Sequence, residues 1–133
     1  SRYDFYHQAE VRVPFDIDLL NKITKGGMPN KTLNIVMAGT GVGKSLFMCH
    51  MAASNIVEGK NVLYITMEMA EERIAERIDA NLLDVSMEEL NIIPKTGYEK
   101  KMNRLKDRCT GKLVVKEYPT ASANAVGYSL TRT

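Results

Sequence analysis

The apolar positions along the chain fall into short continuous runs and into helical spacings. Two runs rich in β-branched residues, Thr32–Ala38 and Asn61–Thr66, are typical of buried strands, and Lys112–Glu117 is a third. Between them, apolar residues recur every three or four positions, which predicts helices from Lys44 to Gly59 and over Ala70–Leu83. Strands that alternate with crossover helices predict an α/β fold with a parallel sheet and helices on both faces.

Local sequence patterns predict three shorter helices. Phe15–Ile23 has the spacing of a brief amphipathic helix, which the following glycines and proline end. Ser86–Glu89 and Thr96–Glu99 both have capping-box spacing, and each predicts a helix start. The helix after Thr96–Glu99 is expected over Lys100–Arg108. After Pro119, the sequence favours a loop that enters a further helix.

Composition places the chain among globular proteins and narrows its cellular setting. The length of 133 residues suits one domain, and the apolar and charged fractions of 44% and 26% are ordinary. No stretch is long and apolar enough for a membrane span or a secretion leader, so we expect a cytoplasmic protein without membrane association. Cys49 and Cys109 lie far apart and are expected to be reduced thiols. Because the chain starts without Met, we expect a fragment.

Charge is distributed unevenly although the net charge is only +2. The segment 68–90 has eight acidic and two basic residues, whereas 95–116 has eight basic and two acidic residues. The basic segment suits a nucleic-acid or subunit contact. Two solvated helix faces that complement each other explain the same pattern, and we favour this second interpretation.

The strongest chemical motif is Ala38–Ser45, which matches the phosphate-loop pattern G-x-x-x-x-G-K-[ST] except that Ala38 replaces the first glycine. Its glycines leave backbone N–H groups open to an anion, and the helix that follows adds its N-terminal dipole. Lys44 is expected to contact the β- and γ-phosphates, and Ser45 to bind Mg²⁺. The residues expected to bind ATP or another nucleoside triphosphate are Gly39, Thr40, Gly41, Val42, Gly43, Lys44 and Ser45.

Glu68 follows the predicted strand Asn61–Thr66 and is a candidate catalytic carboxylate. In a parallel sheet the carboxyl ends of the strands share one edge, so Glu68 and the phosphate loop are expected at the same edge. There its carboxylate could accept a hydrogen bond from the water that attacks the γ-phosphate. A glutamate favoured by the dipole of the next helix explains the position equally well.

Three segments resemble the RecA-like motor domain of DnaB-type replicative helicases, in particular those of T-even-type phages. They are Ile23–Leu33, Ala38–Ser45 and Ile65–Arg73, and the likeness continues to Thr120. The strand end Thr66–Met69, similar to an S-x-E-M motif, is more specific than the phosphate loop.

The resemblance implies a RecA-like P-loop NTPase in which Glu68 matches the catalytic glutamate that orients the lytic water, beside Lys44. It also implies ATP and Mg²⁺ as ligands, a homo-hexameric ring that hydrolyses nucleotide between subunits, and single-stranded DNA drawn through the ring. A primase and a helicase loader are further implied partners. Residues 1–14 would be the linker arm and residues 15–133 the N-terminal portion of the motor domain.

Parts of the family pattern have no counterpart in the 133 residues. The strand that ends in a Mg²⁺-organising Asp, the DNA-gripping loops and the arginine finger all come later in these helicases. The Asp-bearing strand lies beside the phosphate-loop strand, so a gap in the sheet is expected, with weak or no nucleotide binding and no unwinding by this chain alone. The alternatives are a recombinase or clock-type ATPase, and a non-hydrolysing nucleotide-binding assembly module.

Overall fold

The computed structural model describes residues 1–8 and 11–118, which form parts of two compact units, 1–42 and 43–133. The described elements are α1 (Arg2–His7), β1 (Arg12–Val13), α2 (Asp18–Ile23), β2 (Met28–Pro29), α3 (Lys44–Val57), β3 (Val62–Thr66), α4 (Glu71–Leu83), α5 (Met87–Ile92), α6 (Lys95–Arg108) and β4 (Leu113–Glu117). The helix expected after Pro119 lies outside the described residues.

The first unit contains short elements that the hydrophobic pattern did not predict. Helix α1 lies in the expected arm and begins with a capping box, in which the Asp4 amide donates to the Ser1 hydroxyl. Strands β1 and β2 pair in antiparallel register. The Arg12 guanidinium donates to the carbonyl oxygens of Thr24 and Gly27 at 3.1 and 3.2 Å, and so joins β1 to the turn after α2.

Helix α2 is shorter than expected because its predicted start has a non-helical backbone. Asp16 has a φ of 55°, which is left-handed, and α2 begins only at Asp18. The amide of Phe15 donates instead to the side-chain oxygen of Asn21 at 2.7 Å. A side chain within the helix thus holds the segment that precedes it.

The prediction of a buried strand over Thr32–Ala38 is wrong for this structure. The segment has no regular secondary structure, and it pairs with none of the strands that the structure describes. Leu33, Ile35 and Met37 are 87%, 75% and 89% exposed. A β-branched, apolar run becomes a strand only when a neighbouring strand satisfies its backbone N–H and C=O groups, and here that condition is not met.

The second unit confirms the parallel α/β arrangement. Strands β3 and β4 pair in parallel, with Val62 opposite Leu113 and Thr66 opposite Glu117. The predicted helices α3 and α4 form within one or two residues of their expected bounds and pack against each other. This sheet has two strands and is the only parallel one among the described residues, so the larger parallel sheet that was expected is not observed there.

The core of the second unit lies between these two helices and one face of the sheet. Ile74 and Ile78 of α4 are 1% and 0% exposed. They are one helical turn apart and therefore share a face. The remaining members of the buried cluster are Cys49, Ala52, Ala53 and Ile56 of α3, and the sheet contributes Val62, Tyr64, Leu113 and Val115.

Helices α5 and α6 test the two predicted capping boxes. The one at Ser86 is confirmed, since the Glu89 amide donates to the Ser86 hydroxyl and the Glu89 carboxylate accepts from the Ser86 amide. The one at Thr96 is wrong. Helix α6 begins at Lys95 after Pro94, whose carbonyl accepts from the Tyr98 amide at 2.9 Å, so that Thr96 lies inside the first turn.

Burial keeps two side chains of the core in their neutral forms. Cys49 and Tyr64 belong to the same packed cluster, and desolvation raises the pKa of the Cys49 thiol and raises the pKa of Tyr64 to about 12. Both cysteines are free thiols. Cys49 is therefore a packing residue with little thiolate character. No helix in the described part of the chain is long and apolar enough to cross a membrane.

Asp79 on α4 makes stability depend on pH. Partial burial raises the pKa of its carboxyl above the ordinary value. The folded state therefore holds this proton more tightly than the unfolded state, and the resulting stability is lost as pH rises through the folded pKa. We expect Asp79→Asn to have a higher melting temperature than the unchanged chain at pH 7. Melting curves between pH 3 and 7 should show the two converging at the acidic end, and a constant difference would contradict the burial effect.

Candidate functional site

The segment before α3 has the glycine-dependent backbone that a phosphate loop requires. Gly41 and Gly43 have φ values of 76° and 104°, in the left-handed region where glycine carries little strain. A Cβ at either position would meet no atom within 4 Å, so backbone conformation, rather than space, calls for glycine. The Val42 amide donates to the Gly39 carbonyl at 3.3 Å, and Thr40 lies within this turn.

The N-terminus of α3 offers donors that no side chain caps. Gly43 is the N-cap residue and has no side chain, and the first turn contains no acidic residue. The amides of a first helical turn have no intrahelical acceptor, and together with the helix dipole they favour an anion. Lys44 is the first residue of the helix and is exposed, and Ser45 follows it and is half-buried.

This donor set suits a phosphate group with its Mg²⁺. An ammonium, a hydroxyl and uncapped amides can contact phosphate oxygens, and a serine hydroxyl is an oxygen ligand of the kind that Mg²⁺ accepts. Among residues 1–8 and 11–118, no group of three or more His, Cys, Asp or Glu side chains is placed to hold a metal ion.

Helix α3 and strand β3 run in opposite directions, which brings Lys44 and Glu68 to the same end of the pair. The Ile56 carbonyl near the end of α3 accepts from the Gly111 amide, just before β4 and beside the start of β3. Earlier in α3, Cys49 lies in the buried cluster against which Tyr64, further along β3, packs. Lys44 lies about 7 Å from Cys49 along the helix axis, towards the N-terminus of α3. Glu68 likewise lies beyond the end of β3.

Glu68 is exposed in the connection between β3 and α4. Its exposure leaves the carboxylate accessible to water or a ligand. The dipole of α4, which begins at Glu71, remains an alternative reason for a glutamate near this position. Lys44, Ser45 and Glu68 belong to the second unit, whereas Gly39, Thr40, Gly41 and Val42 belong to the first.

Thr66 is the residue at this edge that the sequence analysis missed. It is 6% exposed and its hydroxyl bonds to both backbone groups of Met69, which encloses Glu68 in a closed turn. Threonine is common in strands, so only the burial of its side chain and its bonds to Met69 distinguish Thr66 from an ordinary strand residue.

The oppositely charged segments lie side by side in the second unit, since α6 contacts α4. Lys100 and Arg104 line an open hollow on α6, together with Glu99 and Asp107. Acidic and basic side chains thus alternate along this surface. This mixed surface accords better with solvated helix faces than with a dedicated polyanion site.

Comparisons with known proteins were consistent with these features. The family described as the DnaB-like helicase C terminal domain matches residues 13–133. A protein of Enterobacteria phage T4 named "DnaB-like replicative helicase" is 49% identical over 128 residues, which are 94% of this chain and 27% of the phage protein.

More distant similarity extends to proteins with another name. The "DNA repair protein RadA" of Rickettsia felis is 32% identical over 94 residues, or 70% of this chain and 21% of that protein. The protein of the same name from Rickettsia conorii is 29% identical over 90 residues, or 68% and 20%. The chain thus spans about a quarter of the length of the phage relative and less of the RadA proteins.

Proposed function

The chain belongs to the family of DnaB-like helicase C-terminal domains, and on this basis we propose that it is part of an ATP-driven replicative DNA helicase with a RecA-like fold. The observation that carries the proposal is the shared location of Lys44, Ser45 and Glu68. An uncapped helix N-terminus and a carboxylate lie at one end of the α3–β3 pair. That combination suits binding of a nucleoside triphosphate and hydrolysis of its terminal phosphate.

Each residue has a separate chemical role in this proposal. The backbone of the loop Gly39–Gly43 and the amides of the first turn of α3 bind the phosphate chain, and Lys44 offsets charge that builds up on the β- and γ-phosphate oxygens. Ser45 holds Mg²⁺, which supplies electrostatic stabilisation of the same oxygens when bound. Glu68 accepts a hydrogen bond from the attacking water and orients it in line with the bond that breaks.

We further propose that the full-length protein is a homo-hexameric ring in the cytoplasm of the host cell. Hydrolysis at the subunit interfaces would draw single-stranded DNA through the ring and unwind the duplex, with a primase and a helicase loader as partners. Residues 1–14 would be the linker arm and residues 15–133 the first part of the motor domain.

The likeness to the two RadA proteins favours a second candidate, a recombinase-type ATPase with the same phosphate loop. Lys44, Ser45 and Glu68 would have the same roles in a recombinase-type ATPase, so substitutions at those positions do not distinguish it from a helicase. Assays of the full-length protein distinguish the two candidates. Nucleotide-dependent unwinding of a forked duplex supports the helicase, whereas strand exchange without unwinding supports the recombinase.

Lys44→Ala in the full-length protein tests nucleotide binding. Loss of a charge-assisted contact of about 1.5–3 kcal/mol should weaken Mg²⁺-ATP binding roughly ten- to a hundredfold in a calorimetric titration.

Lys95→Ala is the matched control, because Lys95 is likewise the exposed first residue of a helix, α6. It should leave the affinity unchanged. Equal weakening by both substitutions would show a general effect of charge and would contradict a specific phosphate contact.

Binding without any turnover in the unmutated protein would support a non-hydrolysing assembly module instead.

A further inference from the structure

A hydroxyl group closes the turn that carries Glu68. The Thr66 Oγ1 donates to the Met69 carbonyl oxygen at 2.9 Å and accepts from the Met69 amide at 3.1 Å. The Thr66 side chain therefore satisfies both backbone groups of Met69, which is the residue directly after Glu68. Thr66 is 6% exposed, whereas Glu68 itself is exposed.

Two further hydrogen bonds join this connection to the end of β4. The Thr66 carbonyl accepts from the Tyr118 amide at 2.9 Å, and the Glu71 carboxylate accepts from the Glu117 amide at the same distance. The connection is thus fixed at the last residue of β3 and at the first residue of α4. Between these points, Met69 packs against the buried cluster of the second unit.

From these contacts we infer that Thr66 is a positioning residue for the carboxylate of Glu68. The inference rests on the proposed function, in which Glu68 orients the attacking water. An exposed glutamate on an unrestrained loop would sample many directions, and a misplacement of about 1 Å can cost a hundredfold in rate. The bonds of Thr66 fix the backbone on the C-terminal side of Glu68, and the Tyr118 and Glu71 bonds fix the ends of the connection.

Thr66→Val in the full-length protein tests this role. Valine has the shape of threonine and keeps the packing of the strand end, but it cannot bond to Met69. We expect kcat for ATP hydrolysis to fall about ten- to a hundredfold, with the KM for ATP within about twofold of the unchanged protein. Thr66→Ser keeps the hydroxyl and should restore kcat to within about threefold. Thr96→Val, at an exposed threonine of α6, should have no effect.

The outcomes separate this inference from the proposed function. If Glu68→Gln abolishes turnover and Thr66→Val leaves kcat unchanged, Thr66 does not position Glu68. If Glu68→Gln itself retains turnover, the proposed function fails first. If Thr66→Val does not fold, hydrogen exchange of the unmutated protein still tests the inference. The Met69 amide should be protected from exchange, and exchange at the rate of an unprotected amide would overturn the inference.

Discussion

Glu68→Gln in the full-length protein is expected to lower kcat for ATP hydrolysis by about 10²–10⁴-fold, the usual contribution of a positioned general base. Glutamine has nearly the size of glutamate but no negative charge, so it cannot orient or deprotonate the attacking water in the same way. Because Glu68 is exposed, the substitution leaves no buried group unpaired and should not affect folding. Steady-state phosphate release measures the rate, and calorimetry should show that Mg²⁺-ATP binding persists.

Glu72→Gln provides the matched control for this experiment. Glu72 lies in the first turn of α4, is exposed, and undergoes the same chemical change four residues away. Turnover should stay within about twofold of the unchanged protein. If both substitutions reduce turnover equally, the acidic character of the segment matters, rather than a carboxylate at position 68. If neither does so, Glu68 is a glutamate favoured only by the helix dipole.

Ile78→Ala is expected to destabilise the second unit by about 2–5 kcal/mol. Ile78 is 0% exposed and packs in the cluster between α3, α4 and the sheet. Alanine would remove apolar contacts and leave a cavity that its rigid neighbours can fill only in part. Urea denaturation followed by circular dichroism measures the loss as a lower midpoint.

Ile92→Ala is the control for the core substitution. Ile92 ends α5 and is 80% exposed, so the same truncation should change stability by less than about 0.5 kcal/mol. Similar midpoints for the two variants would show that the cluster around Ile78 is not the core of the cooperative unit. A large effect of Ile92→Ala alone would place its side chain against an apolar surface.

Much of the second unit could be predicted from the sequence because its signals are local. In α4, the spacing of Ile74 and Ile78 fixes both the helix and its buried face. Gly43 indicates a backbone that other residues adopt only with strain, and the structure has that backbone. The capping box at Ser86 also depends only on residues three positions apart.

Elsewhere the predictions failed or were not made, because competing local signals or burial decided the structure. The capping box expected at Thr96 was displaced because Pro94 starts α6 earlier. Asp16 interrupts the expected start of α2, and α1 lies in a segment without hydrophobic periodicity. Thr66 has the ordinary composition of a strand end, and only its burial and its bonds to Met69 distinguish it.

Periodicity and allowed backbone angles are enough to predict the helices α3 and α4, the glycine turn before Lys44 and the location of Glu68 after a strand. The tertiary structure decided which apolar runs become strands. Asn61–Thr66 and Lys112–Glu117 contain β3 and β4, which satisfy each other's backbone groups, whereas Thr32–Ala38 has the same kind of composition and stays exposed. The physical reason is that helix hydrogen bonds close within one segment, while those of a strand need a second segment.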